Sequence, residues 1–246
     1  MRLHNFFNIR FPSLFFFSFH VRMTIVFLME VLFMSLGPCI KIRTGSPDLY
    51  LDIYKGHFAT SHSHMNYYID IASNKSNLRE ADAIAHVLSE TLRYTTHVNT
   101  ILCLDNMEVI GACLARALTK PDRFNINTDN NIFILTPEHT TGSQLFFRDN
   151  TAPMITGKDV LILAASVVTG YTSQSAIEAI RYYGGNPVGI CSIFANINEC
   201  DTLRVYSVFN TKDLEGYVTS SAHTCPMCKR GEKITALVNC FGCSAL

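Results

Sequence analysis

Charge is scarce in this chain. Lys, Arg, Asp and Glu make up 16% of the 246 residues and cancel to a formal net charge of zero. Without a basic excess the chain lacks the electrostatic footprint of a nucleic-acid or anionic-membrane binder. No Gly-Lys-Ser/Thr closes a glycine-rich loop, so a Walker A phosphate site is excluded, and the Gly-x-Gly-x-x-Gly spacing of dinucleotide sites is missing too. Apolar runs are short. Phe11–Phe19 contains Pro12, Thr24–Leu36 contains Glu30, and His20 and Arg22 stand between them. Neither reaches the roughly 18 residues of a spanning helix. The nine cysteines form no secreted disulfide framework. Cys103, Cys113 and Cys191 lie in apolar runs, where a reduced, buried thiol is expected. These absences point to a soluble, cytoplasmic core region.

Residues 1–40 read as an apolar extension. Arg2 and Arg10 suit a signal-like n-region, but no small-x-small cleavage site follows. Leu36-Gly37-Pro38-Cys39 resembles a lipoprotein box, which Pro38 spoils. A disordered extension, or a start at Met23, Met29 or Met34, is the other expectation.

What is present is an apolar content of 48%, enough for a sizeable core. Asn77-Leu78-Arg79-Glu80 opens like a capping box, and Ala81, Ile84, Ala85, Leu88 and Leu92 then recur at helical spacing. Strands are expected at Val98–Leu104, Asn131–Leu135, Leu145–Phe147, Asp159–Leu163, Val188–Phe194 and Leu203–Phe209. Helices are expected at Glu108–Leu118 and Thr172–Tyr183, the latter ended by Gly184-Gly185. Alternating strands and helices imply a mostly parallel sheet flanked by helices, an α/β fold. Ligands of such sheets sit at the carboxyl ends of the strands.

One such end carries the sharpest local signal. After Val160-Leu161-Ile162-Leu163 come Ala164-Ala165-Ser166-Val167-Val168-Thr169-Gly170-Tyr171-Thr172, small and hydroxyl-rich, and then a helix. Backbone amides, hydroxyls and a helix dipole converge there, as an anion cradle requires. Gly170 permits positive φ and close backbone approach. The plainer alternative is that Ser166, Thr169 and Thr172 only form a tight turn and an N-cap.

Gly157–Leu163 followed by Val168-Thr169-Gly170-Tyr171-Thr172 resembles the phosphoribosyl pyrophosphate motif of type I phosphoribosyltransferases. Ile101–Ala112, with Asp105 and Glu108, resembles their pyrophosphate-binding loop. Gly56–Ser63 with Tyr67-Tyr68-Ile69-Asp70 resembles the base-side segment of orotate phosphoribosyltransferases. The matches run in family order across about residues 50–210. The resemblance implies a phosphoribosyltransferase-like domain at 41–218 with a small hood, a phosphate-bearing small-molecule partner, Mg²⁺, and a homodimer. It implies transfer of phosphoribosyl to an orotate-like base, as in pyrimidine biosynthesis; the alternative is a non-catalytic ligand sensor on the same fold. Residues Ser166, Val167, Val168, Thr169, Gly170, Tyr171 and Thr172 would hold the 5-phosphate. Phe58, His62, His64, Tyr67 and Tyr68 would serve the base side, and Asp105 and Glu108 the catalytic acids.

The departures are specific. Ala164 and Ala165 replace the family's adjacent acids, which bind the ribose hydroxyls; each lost charge-assisted contact costs about 1.5–3 kcal/mol. Tyr171 replaces a glycine. Thr136–Gly142 lacks the basic residues of the family's flexible catalytic segment, and Arg148 and Lys158 are the nearest cations. His62 and His64, on an extended segment, would point the same way and suit a metal or an anion, with His57 nearby. Asp105 and Glu108 have their own plain reading as a strand-end turn and a first-turn acid.

The tail, residues 219–246, is Cys-rich. Cys225-Pro226-Met227-Cys228 and Cys240-Phe241-Gly242-Cys243 are two Cys-x-x-Cys pairs separated by eleven residues. Four thiolates on two such turns suit tetrahedral, structural Zn²⁺. His223 is an alternative ligand, and a reduced or redox-active tail is the plain alternative.

Overall fold

The computed structural model describes residues 36–43, 49–140 and 144–246. Almost all of the N-terminal extension, including Phe11–Phe19 and all of Thr24–Leu36 but Leu36 itself, lies outside the described residues.

Along the chain, β1 (Ile40–Arg43), β2 (Tyr50–Ala59) and β3 (His64–Asp70) come first. Helices α1 (Ala72–Ser76) and α2 (Leu78–Thr95) lead to β4 (Thr100–Cys103) and α3 (Glu108–Leu118). Next come β5 (Phe133–Leu135), β6 (Glu138–His139), β7 (Leu145–Phe146) and β8 (Asp159–Val167). Helix α4 (Tyr171–Tyr182) connects to β9 (Asn186–Ala195), β10 (Glu199–Cys200), β11 (Leu203–Asn210) and β12 (Thr219–Ser220). A short helix α5 (Pro226–Lys229) precedes the hairpin β13 (Ala236–Asn239) and β14 (Gly242–Ala245).

The central sheet has the order β10-β11-β9-β8-β4-β5. All its neighbours pair in parallel except β10 with β11. The α/β expectation therefore holds. Along β8 the side chains alternate. Leu161, Leu163 and Ala165 join the cluster containing Ile84, Leu88, Leu92, Ile110 and Leu114 of α2 and α3. Val160, Ile162 and Ala164 join Ala176, Ile177 and Ile180 of α4 on the opposite face. A strand covered on both faces reads as a continuous apolar run, which is why Asp159–Leu163 is legible in the sequence. Gly111 lets α3 press onto β4: a Cβ there would stand 2.5 Å from Cys103 Sγ.

A second sheet, order β12-β3-β2-β13-β14 with β1 also on β2, forms the hood. Its inner cluster is small: Leu36, Tyr54, Phe58, Met65, Tyr68 and Ala236. Strand β13 lies parallel to β2, with Ala236 opposite Phe58 and Leu237 opposite Ala59. The Cys-rich tail is thus built into the hood sheet. Among the described residues no helix is long and apolar enough to cross a membrane.

Several expectations need correction. The strand at 159 does not break at Ala164 but continues to Val167, because Ala164, Ser166 and Val167 find partners in Ser192, Phe194 and Ala195 of β9. The Leu145–Phe147 strand exists only as Leu145–Phe146, paired with Glu138–His139 outside the main sheet. At α2 the Asn77 side chain accepts from the Arg79 amide, as a cap should. Glu80 does not complete the box. Its carboxylate accepts instead from Ser73 Oγ at 2.8 Å and Asn74 Nδ2 at 3.0 Å, which ties α1 to α2. Cys103, Cys113 and Cys191 are free and buried, as expected; burial, with Glu108 adding to it, pushes the Cys103 thiol up to about 12.

Candidate functional site

The carboxyl ends of β4 and β8 and the underside of the hood enclose one cleft of about 640 Å³. The turn after β8 forms one wall, with every residue from Ala165 to Ser173 lining it. Gly170 is the N-cap of α4, at φ 81°, and no side chain caps this helix. The first amides of a helix have no intrahelical acceptor, and its dipole is positive there. The reading of this turn as a hydroxyl-capped helix start therefore fails, and the residues of the first turn of α4, Tyr171 to Ser173, line the cleft. Gly170 is required twice: φ is left-handed, and a Cβ would meet Cys200 Sγ and Ile197 Cδ1, both at 3.2 Å.

Asp105 lines the cleft beside this turn. It follows β4 in a left-handed conformation, φ 55°, with Asn106 beside it at φ 60°. Asp and Asn are among the few side chains that tolerate this region. The Asp105 carboxylate accepts from the Ala165 amide at 3.3 Å. Burial raises its pKa; that amide, Lys75 and His139 act against the rise. Lys75 is 9% exposed. Its ammonium donates to the carbonyl oxygens of Asp105 at 3.0 Å and of Cys240 at 2.8 Å, so it bridges the loop after β4 to the C-terminal hairpin.

The hood contributes Thr60, Ser61, His62, Ser63, Tyr68 and Asp70 from one side and residues Leu237 to Gly242 from the hairpin. The His62 ring lies 5.4 Å from that of Tyr171, interplanar angle 35°, so the hood and the turn after β8 meet at the rim. Tyr171 is 63% exposed there.

The cleft thus gathers Ser166, Val167, Val168, Thr169, Gly170, Tyr171, Thr172, Asp105, His62 and Tyr68. Other expected residues lie elsewhere. Glu108 accepts from Thr136 Oγ1 at 2.8 Å on the surface and does not line the cleft. Phe58 is fully buried in the hood cluster. Tyr67 packs toward α2 and donates to the Glu215 carbonyl at 3.1 Å. Nor do His62 and His64 point the same way. The Thr60 amide bonds back to the Ser63 carbonyl at 2.8 Å, so His62 sits in a tight turn rather than on a strand. Arg148 is engaged by Glu138 through two hydrogen bonds of 2.7 and 2.6 Å.

His64 turns inward to a second constellation. His57, His64, Cys225 and Cys228 present donor atoms that all lie within 4.8 Å of one another. His57 Nε2 is 3.0 Å from His64 Nδ1. Cys225 and Cys228 Sγ are each 3.6 Å from His57 Nε2, and Cys228 Sγ is 3.3 Å from His64 Nδ1. Burial opposes ionisation of Cys225, but the amides of Cys228 and Met227 and the His64 ring outweigh it and bring the thiol down to about 6. The expected four-cysteine set is not what assembles. Cys240 and Cys243 belong to the β13–β14 hairpin, where Cys243 pairs with Val238 and the Cys240 carbonyl faces Lys75.

Sequence reasoning missed Lys75 and the hairpin's share of the cleft. Lys75 belongs to a five-residue helix whose break at Asn77 sets its position, and no periodicity announces that. The hairpin reaches the cleft only because β13 pairs with a strand far back in the chain.

No family model matches this chain, and neither does any curated protein. Solved structures do. Orotate phosphoribosyltransferase of Mycobacterium tuberculosis, in complex with Fe(III) dicitrate, aligns over 67% of this chain and 93% of its own, at 17% identity and a TM-score of 0.48. UMP synthase of Leishmania donovani aligns over 66% of this chain and 34% of its own, at 17% identity and TM-score 0.47. Adenine phosphoribosyltransferase of the same organism aligns over 61% of this chain and 73% of its own, at 14% identity and TM-score 0.43.

Proposed function

We propose that this protein binds a phosphorylated ribose, as phosphoribosyl pyrophosphate or a nucleoside monophosphate, in the cleft between the sheet and the hood. The observation that supports the reading is that the uncapped start of α4 and the half-buried Asp105 side chain line one cavity. An anionic group suits the amide end. Asp105 is the acid placed to accept from sugar hydroxyls, in the role that Ala164 and Ala165 cannot fill. His62, Tyr68 and the hairpin would cover the base. Mg²⁺ accompanies the diphosphate in this reading, and a cytoplasmic homodimer goes with it.

Two activities remain within the proposal. Transfer to an orotate-like base relies on positioning and on stabilising a positively charged ribose. A ligand sensor that performs no transfer is favoured by the alanines: Ala164 packs against α4 and is 1% exposed, leaving no acid on that stretch of β8. Calorimetry with phosphoribosyl pyrophosphate and orotidine monophosphate, with Mg²⁺, is the test, alongside a pyrophosphate-release assay with orotate. Binding with release supports the enzyme, and binding without release the sensor. Failure of every phosphorylated ribose to bind overturns both.

A further inference from the structure

We infer that His57, His64, Cys225 and Cys228 hold a structural Zn²⁺ ion that fixes the base of the hood turn. The donor set selects the metal. Two imidazole nitrogens and two sulfurs suit zinc, whereas the absence of any carboxylate from the set disfavours the hard cations Mg²⁺ and Ca²⁺. The geometry agrees. A tetrahedral ion with metal–nitrogen distances of about 2.0–2.1 Å and metal–sulfur distances of about 2.3 Å has donor–donor edges of roughly 3.3–3.8 Å. Three nitrogen–sulfur edges, at 3.3–3.6 Å, fall in or at the edge of this range, the nitrogen–nitrogen edge is shorter at 3.0 Å, and every donor pair lies within 4.8 Å.

The surroundings are already arranged for an ion. His57 Nδ1 lies 3.0 Å from the Glu232 carbonyl. A carbonyl only accepts, so Nδ1 carries the proton and Nε2 turns a bare lone pair toward the thiols. Orientation of a ligating histidine by a carbonyl behind it is a recurring feature of metal sites. Cys225 is the N-cap of α5 and Cys228 lies within its single turn, so both sulfurs reach the same pair of imidazoles. His57 and Cys225 are buried and Cys228 is exposed, which leaves a path for the ion to enter.

Four protein donors leave no open coordination position, so the ion is structural. Its consequence is mechanical. His57 lies in the irregular stretch of β2 between Lys55 and Phe58, shortly before the turn at Thr60–Ser63, and His64 begins β3 just after it. The ion clamps both ends of that turn to the α5 knuckle, and the turn carries His62 to the rim against Tyr171.

Elemental analysis of the full chain, produced with zinc in the medium, is expected to give one zinc per chain. X-ray absorption at the zinc edge should then find two sulfur and two nitrogen neighbours. A four-sulfur shell, or a chain without zinc, overturns the assignment. The double variant C240S/C243S should keep its zinc; loss of the ion there also overturns it. These readouts need no variant of a proposed ligand and no bound ribose, so they stand apart from the cleft's proposed ligand. Chelation of the ion should speed hydrogen exchange at the Thr60 amide, which bonds to Ser63, and leave the Leu104 amide, bonded to Leu163, unchanged. Unchanged exchange at Thr60 overturns the clamp.

Discussion

The two halves of the cleft are held together by different means. Its floor is a parallel sheet buried on both faces, and fully buried Leu161, Ile162, Ile190 and Phe194 lie on adjacent strands. The hood is a hairpin with a thin apolar cluster, completed by strands contributed from much later in the chain. The floor takes its rigidity from packing. The hood draws on cross-links: the Lys75 bridge and the His/Cys quartet. In the proposed reading, a cleft so divided would have its phosphate end on the packed floor and its base side on the cross-linked hood.

The largest test of this contrast compares two phenylalanines. Phe194→Ala in the floor should lower global stability by about 3–5 kcal/mol, read as a shift of the whole urea transition. Phe58→Ala in the hood removes a similar fully buried ring. Its cost should fall on the hood, with amide protection in the floor retained. Equal loss of protection in both sheets would mean that they unfold as one unit.

Gly170→Ala is expected to cost about 1–2 kcal/mol, because the left-handed conformation penalises a Cβ and Cys200 and Ile197 crowd the space. It should also weaken phosphate-ligand binding in calorimetry, whereas removing the Asn77 cap should not. Asn77→Ala should lower stability by about 1 kcal/mol and leave the cleft's affinity as it was. If both variants bind equally well, the turn after β8 is not the phosphate end.

The smallest expected effect concerns pH. Burial raises the Asp105 carboxyl above its unfolded value. The folded chain therefore binds more protons than the unfolded chain in that window, and stability falls as pH rises through it. Asp105→Asn should flatten this fall just above the usual carboxylate range, as urea midpoints measured across pH would show. An unchanged slope would place the titration elsewhere.

Much of the floor is legible in the sequence because its signals are local. The Glu108–Leu118 helix matches its expected bounds, and β8 reads as an apolar run. Its one misjudged end, at Ala164, depended on β9 offering partners as far as Ala195. That the turn after β8 lines the cleft is legible for the same reason as the strand before it. The hood is not. Phe58 and Tyr67, expected to face the base, are claimed by packing that no local pattern reveals. His64 is readable as a metal ligand by type, but its cysteine partners lie more than 160 residues away. Spacing paired Cys225 and Cys228 correctly with each other. It paired them wrongly with Cys240 and Cys243, because knuckle spacing says nothing of a histidine delivered by a distant strand.

The parallel pairing of β13 with β2 has a consequence for how the chain reaches this shape. His57 and Thr235, joined by a hydrogen bond, are 178 residues apart, whereas Ile162 and Ile190, opposite one another in the floor, are about 28 apart. Loop closure grows with the logarithm of the span, so the longer closure costs roughly 1.5–2 kcal/mol more entropy. The nucleus of folding is accordingly expected in the floor, and the lid's last strand docks onto a finished scaffold. Pulsed exchange during refolding would reveal the order, and early protection at Thr235 would reverse it.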